Sequence, residues 1–378
     1  MKNRAVKAVI LNANRREPTQ EDIVSQILSG DTHLEETRNP TNPATPPKDD
    51  STARQKLAAL YAPVSGQLAE VESILQTELS SDTPFVDQLL EHSWLLGGKR
   101  MRPVLLLLSG MSLAKPENRA DRELQLMGAA VEMIHTATLV HDDVLDKADV
   151  RRHQPTANAK WDNRVSVLLG DYLFTHAFHV ASKSGSAAAM GKLAASSNLV
   201  CAGEMKQNFH AGNFEIEQSV YFEIISQKTA ELCAAACGIG ALLVGGSESE
   251  IEQFESYGRD LGIAFQIIDD VLDLVGTQGS VGKTLGTDMF NAKATLPVIH
   301  CLETLPSDER RQFLEVLEAG TDVTKAVELL QSTGSIEHAR QVAKDHAQKA
   351  EAFAQSLPDN EASSALVKLA QFILKRTH

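Results

Sequence analysis

Apolar side chains recur three and four residues apart along most of the chain, beginning with Leu57, Leu60, Val64, Leu68, Val71 and Leu75. That spacing gathers them on one stripe of an α-helix, the face that turns to a core. Similar stripes run through residues 84–96, 101–114, 121–148, 160–182, 187–211, 217–245, 248–276 and 292–303, with shorter ones continuing to Lys375. Gly and Pro punctuate the gaps, as at Gly97-Gly98, Lys115-Pro116 and Gly245-Gly246. No alternating run bounded by hairpin turns is found, and no internal repeat. The pattern predicts one all-α domain of about ten or more helices, spanning residues 54–378. Ahead of it, residues 38–53 read RNPTNPATPPKDDSTA, a proline-rich linker. The segment before the linker has too little apolar surface to fold alone and holds at most a short helix around Asp22 to Leu28. Residues 1–53 are expected to form a flexible N-terminal extension.

Composition narrows the function. At 378 residues the chain can bury a core without disulfides or a structural metal. Its 43% apolar and 23% charged content excludes disorder throughout. The net charge of −14 argues against a general nucleic-acid binder, whose affinity rests on basic surface. A small phosphorylated substrate met by a few local cations stays open. Cys201, Cys233, Cys237 and Cys301 have neither metal nor disulfide spacing, the usage of a reducing compartment. No window offers the ~18 uninterrupted apolar residues of a membrane span. Lys2, Arg4, Lys7, Arg15 and Arg16 occur without an acid among the first sixteen residues, the mark of a transit peptide, but six acids follow between Glu17 and Glu36. The expected location is cytoplasmic, with a mitochondrial one following if residues 1–16 are a transit peptide.

Two segments concentrate the chemistry: HDDVLDKADVRR, from His141 to Arg152, and FQIIDDVLDL, from Phe265 to Leu274. Asp142, Asp143 and Asp146 fall three or four residues apart on one helix face, and Asp269, Asp270 and Asp273 repeat the arrangement. A lone DDxxD is ordinarily a helix end with solvated acids. Two copies in helices otherwise built for burial are different, because desolvation and mutual repulsion oppose ionisation. A hard divalent cation removes both penalties, and Mg²⁺ prefers a few carboxylates plus phosphate oxygens. Facing each other across a cavity, the two segments would form a metal cage.

Cations accompany the acids. Lys99, Arg100 and Arg102 follow Gly97-Gly98, Arg151-Arg152 closes the first acidic segment, Lys228-Thr229 lies mid-helix, and Lys283 and Lys293 bracket the loop after the second segment. Arg and Lys grip phosphate oxygens directly, Arg in bidentate fashion. Acids for Mg²⁺ beside cations for phosphate describe a diphosphate site. His135 lies seven residues before Asp142, two turns away on roughly the same face, where it could bond an anion or be a satisfied core histidine. Gly282-Lys283-Thr284 is no P-loop, since Thr277 replaces the first glycine and no strand precedes it. No GxSxG, HExxH or CxxC pair occurs.

The ordered set GGKRMRP, HDDVLDKADVRR, Lys228-Thr229, FQIIDDVLDL and Gly286-x-Asp288-x4-Lys293 resembles the trans-isoprenyl diphosphate synthase (polyprenyl synthetase) family from about residue 57 onward. The resemblance implies long helices around a deep central cavity, usually in a homodimer. It implies that Asp142, Asp143, Asp146, Asp269, Asp270 and Asp273 bind Mg²⁺, three ions per site, holding an allylic diphosphate. Lys99, Arg102, His135 and Arg152 match positions that bind isopentenyl diphosphate. Arg151, Lys228, Thr229, Gln266, Lys283 and Lys293 match those gripping the allylic substrate, with Lys228, Asp142, Asp143, Asp146, Asp269 and Asp270 as the reacting set. Glu204 and Gln207 match a further polar motif at the cavity mouth. The implied reaction ionises the allylic diphosphate, lets the isopentenyl double bond attack the cation, and loses a proton to the departed diphosphate, with no enzymic nucleophile. One departure is His153, where the family commonly has Gly after the Arg pair; no ligand is lost by it.

Ala137 and Thr138 lie five and four residues before the first acidic motif, where the growing tail must pass. Members resembling farnesyl diphosphate synthases place aromatics there; small residues leave the tunnel open, unless Phe174 or Phe178 forms a floor. The expectation is a long-chain, octaprenyl-type enzyme feeding quinone side chains, touching a membrane only transiently at product release. The rival readings are a farnesyl or geranylgeranyl synthase, a class I terpene cyclase, which needs no second diphosphate site, and a non-catalytic partner subunit.

Overall fold

The computed structural model describes residues 50–95, 98–152, 154–275, 293–320 and 322–375. Over these residues the chain is all-α, as its periodicity predicts. The first half contains α1 (Asp50–Tyr61), a 3-10 turn (Ala62–Val64), α2 (Ser65–Glu78), α3 (Pro84–Leu95), α4 (Met101–Leu113), α5 (Asp121–Leu145), α6 (Ala157–Lys160), α7 (Asn163–Ser182) and α8 (Ala187–Phe209). The second half contains α9 (Gln218–Ile225), a π-helical turn (Ser226–Ala230), α10 (Glu231–Leu243), α11 (Glu248–Val275), α12 (Leu296–Thr304), α13 (Ser307–Ala319), α14 (Val323–Ser332), α15 (Ser335–Gln355) and α16 (Glu361–Leu374). The short helix expected around Asp22 to Leu28 lies outside the described residues, and α1 takes in the last residues read as linker.

The helix α10 is the hub. Leu232 to Ala241 are buried without interruption, so the helix is apolar on every side and must be surrounded. Helices α4, α5, α8 and α11 pack around it, and its small alanines and cysteines let them come close. Outside this ring α15 backs α11 and α16 backs both α15 and α4, while α7 and α2 cover α5. Cys233, Cys237 and Cys301 are buried free thiols; Cys201 is exposed and also free. No helix among the described residues is long and apolar enough to cross a membrane.

The structure departs from the pattern in three places. The helix of the 160–182 stripe starts at Asn163 with the short α6 separate ahead of it, because side-chain oxygens of Thr156 and Asp162 cap separate helix starts, accepting from the backbone N–H of Ala159 and Val165. The 217–245 stripe divides at the π turn. A two-stranded antiparallel ribbon, β1 (Val150–Arg151) and β2 (Gln154–Pro155), pairs Val150 with Pro155 and Arg151 with Gln154. Two residues per strand are too few to show any alternation.

Candidate active site

Both acidic segments occupy the C-terminal turns of long helices, α5 and α11, where unpaired carbonyls already carry partial negative charge. Carboxylates there are electrostatically opposed, so neighbouring cations must offset them. Asp143, only 2% exposed, accepts from Arg151 Nε and Nη2, both at 2.8 Å, while its Oδ2 is buried without a partner. Lys228 Nζ lies 3.8 Å from Asp142 Oδ2 and also pairs with Glu204. Lys293 Nζ donates to Asp146 Oδ1 at 3.0 Å. Burial pushes the Asp142 carboxyl up to about 6; Lys228 pulls it down, and Glu204 and Asp146 push it further up.

On the opposite wall Asp270, 4% exposed, accepts from Tyr221 Oη at 2.6 Å and from Gln266 Nε2 at 2.8 Å. Thr229 Oγ1 donates to Gln266 Oε1 at 2.9 Å, linking this wall to the π turn. Asp269 and Asp273 are half-buried on the same stretch of α11. The π turn carries Lys228 and Thr229, and π-helical insertions commonly mark functional sites. Gly203 of α8 makes room for it, since a Cβ there would lie 2.6 Å from the Lys228 backbone nitrogen. A cavity of about 110 Å³ is bordered by Gln207, Lys228, Thr229, Gln266, Asp270 and Lys293. Because Lys228 and Lys293 also reach Asp142 and Asp146, the two acidic segments border one cleft. Among the described residues no three acidic, His or Cys side chains converge into a metal site by themselves. What the cleft offers is a set of hard oxygen donors divided between two helix ends, one of them a buried orphan.

A second cavity, of about 100 Å³, is bordered by Lys99, Arg102, Glu132, His135, Arg152 and Thr229, with Leu105, Cys233, Leu261 and Phe265 as an apolar part. Arg152 has a left-handed backbone (φ 50°), and its guanidinium packs on Gly98, where a Cβ would lie 2.6 Å from Nη2. Arg102 Nε is buried without a partner. Burial, and then Arg102 and Arg152, hold the His135 imidazole well below its usual range, so it is neutral beside these cations. Burial and the adjacent Arg151 also lower the Arg152 guanidinium. Thr229 belongs to both cavities, which makes them neighbours.

Of the residues singled out from the sequence, Lys228, Thr229, Gln266, Asp270 and Lys293 border the first cavity, and Asp142, Asp146 and Glu204 reach it through the lysines. Lys99, Arg102, His135 and Arg152 border the second. Ala137 is wholly buried and Thr138 half-buried, with its hydroxyl donating to the His135 carbonyl at 2.8 Å. Phe174 and Phe178 are half-buried and stack edge to face. Lys283, Gly286, Asp288 and His153 lie outside the described residues. Sequence reasoning missed Tyr221, which sits in an ordinary apolar stripe and gives no signal. It also missed Glu72 and Glu132; Glu132 is visible in retrospect as a lone acid in the apolar run Val131 to Ile134.

Residues 83–332 match the polyprenyl synthetase family. The chain is 35% identical over 294 residues to a short chain isoprenyl diphosphate synthase of Methanothermobacter thermautotrophicus, covering 76% of this chain and 89% of the relative. It is 34% identical over 312 residues to the octaprenyl diphosphate synthase of Escherichia coli K12, covering 82% and 95%. A crystal structure of polyprenyl synthase from Caulobacter crescentus CB15, complexed with calcium and isoprenyl diphosphate, superposes with a TM-score of 0.79 at 34% identity, covering 85% of this chain and 98% of that one.

Proposed function

This chain belongs to the polyprenyl synthetase family and is a trans-prenyl diphosphate synthase, and we propose that it builds long, octaprenyl-type chains by adding isopentenyl diphosphate to an allylic diphosphate. The observation that carries the assignment of sites is the pair of cation-lined cavities sharing Thr229, only one of which is flanked by acidic segments. The flanked cavity takes the allylic diphosphate. Asp142, Asp146, Asp269 and Asp273 present carboxylates to Mg²⁺, three ions by analogy with the family. Asp143 and Asp270 complete the acidic set, the first bonded to Arg151 and the second to Tyr221 and Gln266. When bound, Mg²⁺ supplies Lewis-acid stabilisation of the departing diphosphate.

The chain's own groups do the rest. Lys228, Lys293, Arg151 and, from outside the described residues, Lys283 neutralise the diphosphate as its charge grows. At an effective dielectric of ~20, each opposite pair about 4 Å apart attracts by about 4 kcal/mol, and what strengthens on ionisation lowers the barrier. Lys99, Arg102 and Arg152 hold isopentenyl diphosphate in the second cavity, and neutral His135 contributes a hydrogen bond rather than charge. The apolar part of that cavity takes the C5 body, and Thr229 keeps the two substrates adjacent. Attack of the isopentenyl double bond on the allylic carbon leaves a cation on the isopentenyl unit; the carbon beside it loses a proton to the released diphosphate, and the C–H electrons form the new double bond.

Small side chains at Ala137 and Thr138 support the long-chain reading, since neither blocks a tail growing past α5. Chromatography of products from labelled isopentenyl diphosphate tests it: chains of about eight units support it, and products stopping at three or four units favour a short-chain synthase. Diphosphate release without isopentenyl consumption would instead favour a terpene cyclase, for which the second cation-lined cavity has no use. Val167, Leu168 and Tyr172 on α7 and Leu199, Met205 and Phe209 on α8 are exposed apolar side chains, and they support a homodimer joined through these helices. Sedimentation at twice the chain mass is the expected result, and a monomer at working concentration would exclude it. The free thiols of Cys201, Cys233, Cys237 and Cys301 support a reducing, cytoplasmic location.

A further inference from the structure

We propose that Arg100, together with Glu72 and Glu132, is the positioning device of the second cavity, setting the grip on isopentenyl diphosphate without itself holding the substrate. The inference rests on the reading of that cavity as the isopentenyl diphosphate site. Arg100 borders the cavity together with Lys99 and Arg102, but its guanidinium is engaged by two carboxylates. Its Nε donates to Glu72 Oε1 at 2.7 Å, its Nη2 approaches Glu72 Oε2 at 3.5 Å, and its Nη1 donates to Glu132 Oε1 at 3.0 Å. The plane also stacks on Trp94, 4.7 Å from the ring centroid. Arg100, Glu72 and Glu132 are all buried, at 6%, 8% and 2% exposure.

The backbone explains why such a clamp is needed. Arg100 is left-handed (φ 50°, ψ 32°), a conformation that a residue with a Cβ avoids unless its surroundings impose it. From the turn at the start of α4 the Arg100 guanidinium reaches Glu72 and Glu132, while Lys99 and Arg102 border the same cavity. Glu72 ties the turn to α2 and Glu132 ties it to α5, three residues before His135 and so on the same helix face. Tyr61, wholly buried, adds a third tie by donating to the Lys99 carbonyl at 2.7 Å. The same ion pair also neutralises Glu132, which borders the cavity and would otherwise repel a diphosphate. Both effects act on the second cavity alone; none of the three residues borders the first.

The test is calorimetric titration of the full chain with isopentenyl diphosphate, in the presence of Mg²⁺ and a non-ionising thiolo analogue of farnesyl diphosphate filling the first cavity. A parallel titration measures the analogue itself. Arg100→Lys keeps the charge but cannot span two glutamates, and Glu72→Gln removes the partner farther from the cavity. Each is expected to weaken isopentenyl diphosphate on the order of tenfold while leaving the analogue within about twofold, the scale on which small misplacements act. If Arg100→Lys does not fold, Glu72→Gln carries the test. Unchanged isopentenyl diphosphate affinity, or equal weakening of both ligands, overturns the inference and leaves the site assignment standing. No saturable binding to the unaltered chain overturns the site assignment and the inference with it.

Discussion

Lys228 stands between the two acidic segments, 3.8 Å from Asp142 and paired with Glu204, while bordering the cavity that Asp270 lines. On the proposed function, a cation so placed meets a diphosphate that reaches both walls. Lys228→Met is therefore expected to lower kcat by about 10²–10³-fold with unchanged helical circular dichroism, the loss typical of one preorganised charge-stabilising donor. Retention of full kcat would remove Lys228 from the reacting set. At His135 the consequence is a pH dependence. The unfolded imidazole titrates near its ordinary value of 6.5, whereas burial and the flanking Arg102 and Arg152 hold the folded one well below it. Below pH 6.5 the unfolded chain takes up a proton that the folded chain resists, so this contribution to stability is complete above that pH and is lost as pH falls. Chemical denaturation at a series of pH values should show a shallower loss on acidification in His135→Asn than in the unaltered chain; equal slopes would contradict the assignment. The aspartates and flanking cations were legible in the sequence because their spacing repeats. Tyr221 and the pairing of Arg100 with Glu72 and Glu132 were not, since one hydroxyl in an apolar stripe and one arginine among three cations carry no periodic mark.

At the level of elements, placement depends on how helices end and interrupt themselves. The acidic segments gain their role by terminating α5 and α11, and Lys228-Thr229 by lying in a π turn that α8 approaches at Gly203. The continuous apolar stripe over 217–245 concealed that turn, because one extra residue shifts the stripe without breaking it. The Val150–Arg151 ribbon was concealed for a different reason, being too short to show a pattern. Close approach at Gly203 has a measurable consequence. Gly203→Ala places a methyl group 2.6 Å from the Lys228 backbone nitrogen, so α8 or the π turn must shift. A destabilisation of about 1–3 kcal/mol is expected from such overpacking, with kcat falling as Lys228 moves. A variant as stable and active as the unaltered chain would show that the turn does not depend on this contact.

For the whole molecule, the buried hub α10 sets the distance between walls, and the two cavities open where helices from both halves of the chain meet beside it. One all-α body was legible in the stripes; the adjacency of the cavities was not, because Lys99 and Phe265 are far apart in sequence and come to one cavity through the packing of α4, α10 and α11. Chain length is decided at this scale, by what lies along the path of the tail. Ala137→Tyr is expected to shorten the product, and unchanged length in that variant would remove residue 137 from that path. The most direct test of the account is the product of the purified chain supplied with Mg²⁺, an allylic diphosphate and labelled isopentenyl diphosphate. Incorporation of label into a series of all-trans prenyl diphosphates ending near eight units is the predicted result. Release of diphosphate with no label in the prenyl product would contradict it.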